Sequence, residues 1–345
     1  MTDNHWQTLD EMPYAYGPPL GNGVIRSMPE DFLVDEVLGF EPDGDGEHLL
    51  LHVKKRQTNT NWLAGQLARF AGIATKDVSY AGMKDRHAVT TQWFSLRMAG
   101  SPEPDWGQFE SDLIQVLEVH RHRRKLRRGS LQGNNFQLRI RELNAAPEQL
   151  EARLIRLKES GMPNYFGVQR FGHDYQNLAK AEQIFCRKGP RMDRQLRGLV
   201  ISAVRSQLFN QVLAERVGQG SWDKPLKGEY FNLDGSRSGF ISDTACEADL
   251  TARCEQQDIH PSGPLWGRGR PLVAEEVGEL EDRVLQPFDA WRDGLEHVGL
   301  EQERRPLRVR LQSLSWRFQD DTSLELSFFL PAGCFATALL RELIA

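Results

Sequence analysis

The chain has few cysteines, no long apolar run and no cluster of metal-binding side chains, and each absence removes a class of protein. Its four cysteines, Cys186, Cys246, Cys254 and Cys334, are irregularly spaced and form no C-x-x-C pair. No neighbouring histidines complete a zinc pattern, so free thiols in a reducing compartment are expected rather than disulfides or a metal site. No stretch of about 18 apolar residues occurs, which leaves nothing to cross a bilayer as a helix. The opening, Met1-Thr-Asp-Asn-His-Trp, lacks the basic and apolar regions of a secretory signal, so a cytoplasmic location is expected. A glycine-rich nucleotide cradle is also missing, and neither cofactor nor metal is expected.

What is present fits a soluble globular protein of about two domains: 345 residues, 39% hydrophobic and 26% charged. The net charge of −5 argues mildly against a nucleic-acid partner. The charge is clustered, however. Residues 119–141 carry Arg121, Arg123, Arg124, Lys125, Arg127, Arg128, Arg139 and Arg141 without one acidic residue, whereas excess acid collects in 275–303. A phosphate backbone responds to local charge rather than to the total.

Hydrophobic periodicity outlines the organisation. Phe32 to Leu38, His48 to Lys54, Thr91 to Leu96 and Asn135 to Leu143 read as strands, with a turn-rich link at 41–47. Thr60 to Ala71 has apolar residues at helical spacing, with Thr60 or Asn61 as the N-cap. From about Gly161 to Arg305 the pattern is mostly helical. Two alternating stretches, 307–318 and 323–330, then flank Gln319-Asp-Asp-Thr as a hairpin, and Ala338 to Ile344 closes as a short helix. Strands at both ends around a helical middle indicate an α/β (α+β) protein, one sheet domain interrupted by an inserted domain.

Two segments carry chemistry. Ser79-Tyr-Ala-Gly-Met-Lys-Asp-Arg-His is a strand that ends in a charged loop, where a carboxylate is well placed for binding or catalysis and Lys84 and Arg86 would favour its charged form. On residue types alone a surface turn with a local ion pair is the better account. The basic run leading into Arg128-Gly-Ser-Leu-Gln-Gly-Asn-Asn-Phe suits a groove that tracks an RNA backbone. There Asn134 is suited to a base edge or a phosphate, and Phe136 to stacking on an extruded base. The plainer alternative is a solvated loop with Phe136 in the core, but eight positive charges without an acid favour phosphate contact.

Ala81-Gly-Met-Lys-Asp-Arg-His-Ala-Val-Thr resembles the G-x-K-D-[KR]-H-A-V-T signature of the TruD pseudouridine synthases. Pro29-Glu-Asp-Phe-Leu-Val-Asp-Glu, Arg127-Arg-Gly-Ser-Leu-Gln-Gly-Asn-Asn-Phe, Gly161-Met-Pro-Asn-Tyr-Phe-Gly-Val-Gln-Arg-Phe-Gly, Ser202-Ala-Val-Arg-Ser-Gln-Leu-Phe-Asn and Leu330-Pro-Ala-Gly-Cys-Phe-Ala-Thr agree in the family's order. The resemblance spans nearly the whole chain. It implies a circularly permuted pseudouridine-synthase catalytic domain with a mixed, mainly antiparallel sheet, residues 1–159 and 307–345. A mostly helical insertion domain, 160–306, interrupts it.

The resemblance also implies isomerisation of uracil 13 in transfer RNA, with glutamate-accepting transfer RNA the main target. No obligate protein partner is evident in the sequence, and a monomer is the default expectation. Asp85 matches the catalytic aspartate. Phe32, Asn134, Phe136 and Phe335 match residues lining the uracil pocket, although core packing is a close alternative for Phe335. Arg26 stands where the family often has lysine as a basic partner for the aspartate, and Cys334 where serine is usual. Arg123, Arg124, Lys125, Arg127 and Arg128 would follow the RNA backbone. His87 reads as a hydrogen-bonded structural histidine. Asn164, Tyr165, Phe166, Gln169, Arg170 and Phe171 read as a domain junction from which Arg170 could also reach RNA, and Trp266-Gly-Arg-Gly-Arg as a basic loop, either an RNA contact or a plain surface loop. A non-catalytic RNA-binding protein of the same fold is the alternative.

Overall fold

The computed structural model describes residues 6–345 apart from 99, 128, 186–191, 237 and 243–246, so Arg128, Cys186 and Cys246 lie outside the described residues. The chain opens with strands β1 (Val24–Ile25), β2 (Phe32–Leu38) and β3 (His48–Arg56), then helix α1 (Thr60–Phe70). β4 (Val78–Tyr80), β5 (Val89–Arg97), β6 (Ile114–His122), β7 (Leu131–Arg141) and α2 (Pro147–Ser160) follow. The middle of the chain holds β8 (Met162–Pro163), α3 (Gln176–Phe185), α4 (Arg194–Gly218), β9 (Tyr230–Leu233) and β10 (Gly239–Ile241). It continues with α5 (Glu247–Glu255), β11 (Ile259–Leu265), α6 (Glu275–Leu285), α7 (Asp289–His297) and β12 (Glu303–Pro306). β13 (Arg308–Val309), β14 (Gln312–Asp320), β15 (Ser323–Pro331) and α8 (Ala336–Arg341) end it.

These elements form two compact units, one of residues 21–149 and 311–333, the other of 1–20, 150–310 and 334–345. The division expected from the sequence groups both terminal segments with the first domain; compactness groups them with the second.

The first unit is built on a nine-stranded sheet ordered β14-β15-β7-β2-β5-β3-β6, with β1 beside β7 and β4 beside β5. Every ladder is antiparallel except β2–β5, which runs parallel through Leu33–Val89, Val34–Thr90 and Asp35–Thr91. The sheet is therefore mixed and mainly antiparallel, as the sequence indicated. Strand alternation sends Leu49, Leu51 and Val53 of β3, with Phe94 and Leu96 of β5, into one core with Leu63, Ala64 and Leu67 of α1. Full burial of each such leucine contributes roughly 2 kcal/mol. Helix α1 starts one residue earlier than expected, capped by Asn59, whose side chain accepts from the amides of Asn61 and Trp62. Thr60 is already helical, and its hydroxyl bonds Gln92 Oε1 at 3.0 Å instead. The β14–β15 hairpin turns where expected, with Asp320 Oδ1 accepting from the Thr322 amide at 2.8 Å.

The second unit is helical, but it also contains a four-stranded sheet, β10-β9-β11-β12, that the sequence reading passed over. Two prolines and a glycine in β11, Ile259-His-Pro-Ser-Gly-Pro-Leu, obscure its strand character.

Gly133 of β7 faces β15 so closely that a β-carbon there would collide with the Leu330 carbonyl and the Phe329 ring. Gly133→Ala is expected to lower unfolding free energy by about 1–3 kcal/mol in chemical denaturation, through overpacking.

Candidate active site

Asp85 lies in the loop between β4 and β5, and four contacts fasten that loop to the sheet unit. Gln92 Nε2 donates to the Gly82 carbonyl at 2.6 Å. The Lys84 amide donates to Thr60 Oγ1 at 3.2 Å. Lys55 Nζ donates to the carbonyls of Thr58 at 2.7 Å and Asp85 at 3.2 Å. The Lys84 side chain turns inward, 2.6 Å from Glu36 Oε1, where the Glu36 side chain is 0% exposed. The other Glu36 oxygen accepts from the Trp93 amide at 2.8 Å. Burial pushes the Glu36 carboxyl above its ordinary range, while the Lys84 ammonium pulls it back.

Lys84 therefore does not serve as the ion-pair partner of Asp85, as its neighbouring position had indicated. Its charge goes to Glu36, and Arg86 is exposed. The partner of Asp85 is Arg26, with Nη2 2.7 Å from Oδ2. The two side chains are 30% and 38% exposed, which keeps the carboxylate open to a ligand. Arg26 has φ of 61°, in the left-handed region that bulky residues avoid, a strain of order 1 kcal/mol held at the site. Its guanidinium lies over the Phe32 ring, Cζ 4.1 Å from the centroid, a cation–π contact that fixes its plane.

Lys84 Nζ also donates to Asn134 Oδ1 at 2.8 Å, which orients the asparagine amide. Phe136 is buried, its ring edge-on to Phe32 at 6.3 Å and stacked with Phe328 at 5.3 Å. The sheet unit thus brings together Arg26, Phe32, Asp85, Asn134 and Phe136. Phe335 belongs to the other unit, at the start of α8, with its ring 5.9 Å from that of Phe166. His87 is exposed and makes no hydrogen bond among the described residues, which corrects its expected structural role.

The basic run is only partly free. Arg123 is bound by both Asp45 oxygens, at 2.7 and 2.9 Å, and Arg121 by Glu103 at 3.0 Å. Arg139 pairs with Glu325 and Arg141 with Asp31. Arg124, Lys125 and Arg127 are exposed and form no ion pair among the described residues. In the Trp266 loop, Arg268 pairs with Glu301 at 2.9 Å. No group of three or more histidine, cysteine or acidic side chains suited to a metal ion occurs among the described residues. A cavity of about 970 Å³ in the unit is lined by Leu33, Val34, Asp35, Thr91, Phe136 and Phe328 among others; it includes Phe136 but neither Asp85 nor Arg26.

Glu36 and Lys55 were missed by motif reading, although a signal existed. Glu36 shares the inward phase of β2 with Phe32 and Val34, and Lys55 that of β3 with Leu49, Leu51 and Val53. A charge on the buried phase of a strand needs a partner and marks a site.

Fold and site define an α/β protein that presents one carboxylate, backed by basic groups and an aromatic pair, on a loop braced against a mixed sheet. The family model for tRNA pseudouridine synthase D (TruD) matches residues 9–184 and 175–343. A tRNA pseudouridine synthase D from Methylococcus capsulatus is 48% identical over 336 residues, covering 97% of this chain and 95% of its own. One from Nitrosococcus oceani is 50% identical over 334 residues, covering 96% and 93%. A crystal structure of a Methanosarcina mazei protein described as a tRNA pseudouridine synthase D superposes with a TM-score of 0.72 at 20% identity, over 96% of this chain and 95% of that one. The chain belongs to the tRNA pseudouridine synthase D family, whose chemistry is the isomerisation of uridine to pseudouridine. No helix among the described residues is long and apolar enough to cross a membrane.

Burial pushes the Lys55 ammonium down to about 8, while Asp85 and Glu36 act to hold it up. The unfolded chain keeps this lysine near its ordinary value of about 10.4, so between about pH 8 and 10 the folded state binds fewer protons and this group adds stability as pH rises. Below pH 8 both states are protonated and the burial cost is present in full. Unfolding free energy of the wild type, relative to Lys55→Met, is expected to rise by about 2 kcal/mol from pH 7.5 to 9.5 in denaturant titrations; equal pH slopes would count against a buried, titrating Lys55.

Proposed function

We propose that this chain converts uracil 13 of transfer RNA to pseudouridine, with glutamate-accepting transfer RNA as main target and Asp85 as the catalytic carboxylate. The observation that carries the proposal is the Arg26–Asp85 pair, an accessible carboxylate kept beside a guanidinium that itself rests on Phe32. The choice of uracil 13 and of the transfer RNA rests on the six collinear sequence segments.

The reaction breaks the C1′–N1 bond, turns the uracil and joins C1′ to C5; the C5 proton leaves to solvent and N1 gains one. Asp85 either attacks C1′ to form a covalent intermediate or removes the C2′ proton to give a glycal. The target base must leave its stack to be reached. Lys84 occupies Asn134 Oδ1, which turns the Asn134 Nδ2 donor toward a uracil carbonyl. Phe32 and Phe136 form the apolar floor under the base, and Phe335 keeps its proposed role as a base contact. We also propose that the chain acts as a monomer.

Uridine tritiated at C5 within a transfer RNA transcript tests the catalytic assignment. Asp85→Asn is expected to release no tritium while binding the transcript as tightly as the wild type; equal release by both proteins removes Asp85 from the mechanism. Arg124, Lys125 and Arg127, with Arg123 and Arg128 beside them, are the proposed backbone contacts. Arg124→Ala with Arg127→Ala is expected to reduce the slope of log binding constant against log salt by about 2, one per lost phosphate contact. An unaltered slope means that the run faces solvent.

A further inference from the structure

Two arginines of the second unit, Arg170 and Arg305, share one aromatic ring. Arg216, Arg304 and Arg205 each lie against a glutamate, at 2.9 Å from Glu229, 2.7 Å from Glu281 and 3.1 Å from Glu303. Arg170 instead donates Nε to the Ser206 hydroxyl at 3.1 Å. Arg305 donates Nη2 to the side-chain oxygen of Asn164 at 2.5 Å and bonds the Cys334 thiol. Both guanidiniums rest on one ring: the Cζ atoms of Arg305 and Arg170 are 4.1 and 5.2 Å from the Phe166 centroid. Phe209 and Phe335 brace that ring edge-on, at 5.5 and 5.9 Å.

Stacking on an aromatic face holds a guanidinium in place without using its N–H donors. Arg170 keeps both Nη groups, because its one hydrogen bond among the described residues uses Nε. Desolvation works against the charge on both residues, and the charge of Arg170 adds to the penalty at Arg305. Like charges gathered on one ring and partly withdrawn from water are stabilised by a nearby anion. A guanidinium fork matches two phosphate oxygens at once, and the family's substrate carries one phosphate per nucleotide.

We propose that Arg170 and Arg305 form a phosphate clamp that grips a backbone phosphodiester of the RNA substrate beside the loop carrying Phe335. The clamp rests on RNA being the substrate and not on the role of Asp85.

The test is binding of a transfer RNA transcript over a salt series by wild type, Arg170→Gln, Arg170→Lys, Arg305→Gln and Arg283→Gln, each checked for folding by thermal melting. Arg283 is an exposed control whose partner is Glu215, at 3.2 Å. Arg170→Gln is expected to weaken binding about tenfold at low salt and to reduce the salt slope by about one. Arg170→Lys is expected to restore the slope but only part of the affinity, since an ammonium returns the charge without the fork. Arg283→Gln should match the wild type. A folded Arg170→Gln with the wild-type slope overturns the clamp, and if Arg305→Gln fails to fold, the two Arg170 variants decide. Inorganic phosphate that raises the melting temperature of wild type but not of Arg170→Gln, with the RNA slope unaltered, would make this a free-phosphate site and equally overturn the proposal. Binding requires no turnover, so failure here is separable from failure of the Asp85 assignment.

Discussion

A carboxylate folded into the floor of a sheet needs a cation beside it, and Glu36 obtains one from the very loop that carries Asp85. The Lys84 ammonium, 2.6 Å away, is drawn inward to meet it, and the Trp93 amide closes the other oxygen. Without that partner the buried charge would cost several kcal/mol, so the loop is held where the ion pair puts it. The same ammonium orients Asn134. One buried pair therefore determines the path of the loop, the outward turn of Asp85 on the next residue, and the direction of the nearest amide. Lys55 adds a second tether by binding the Asp85 carbonyl from within.

Much of this architecture could be read in the chain. Strand alternation located β2, β3, β5, β7 and the closing hairpin, because one face of each is buried and the other is not. The KDRH loop and the order of its companion segments pointed to the family before any coordinates. The illegible parts share a physical cause: they depend on pairings distant in sequence. Arg26 as the basic partner of Asp85 was indicated by the family resemblance alone and by no residue near Asp85, because the ion pair exists only once β1 and the β4–β5 loop are brought together. Proximity in sequence favoured Lys84, and the demand of Glu36 for a counter-ion overrode it. Asn59 replaced Thr60 as helix cap because the Thr60 hydroxyl was needed by Gln92 and the Lys84 amide. In the second unit, β11 was hidden by its own prolines, which its short pairings with β9 and β12 tolerate.

Charge is managed differently in the two units. The sheet unit neutralises Arg121, Arg123, Arg139 and Arg141 of its basic run internally, through Glu103, Asp45, Glu325 and Asp31, and leaves Arg124, Lys125 and Arg127 exposed. The second unit pairs Arg205, Arg216 and Arg304 with glutamates and sets Arg170 and Arg305 on one aromatic ring. The overall charge of −5 conceals both arrangements. An average over the molecule says little about a surface that a polyanion meets one phosphate at a time.

Among the described residues, the only parallel ladder in the main sheet is three rungs long, from Leu33–Val89 to Asp35–Thr91. Parallel neighbours begin at the same end, so the segment entering β2, with Arg26, and the segment entering β5, with Asp85, emerge side by side. In an antiparallel pairing those two entries would stand at opposite ends, separated by the length of a strand. The chain is thus free to lengthen the excursion between β2 and β3, or that between α1 and β4, without parting the acid from its guanidinium. A slip of one residue along those three rungs would exchange the inward and outward faces of β2 and turn Glu36 away from its lysine.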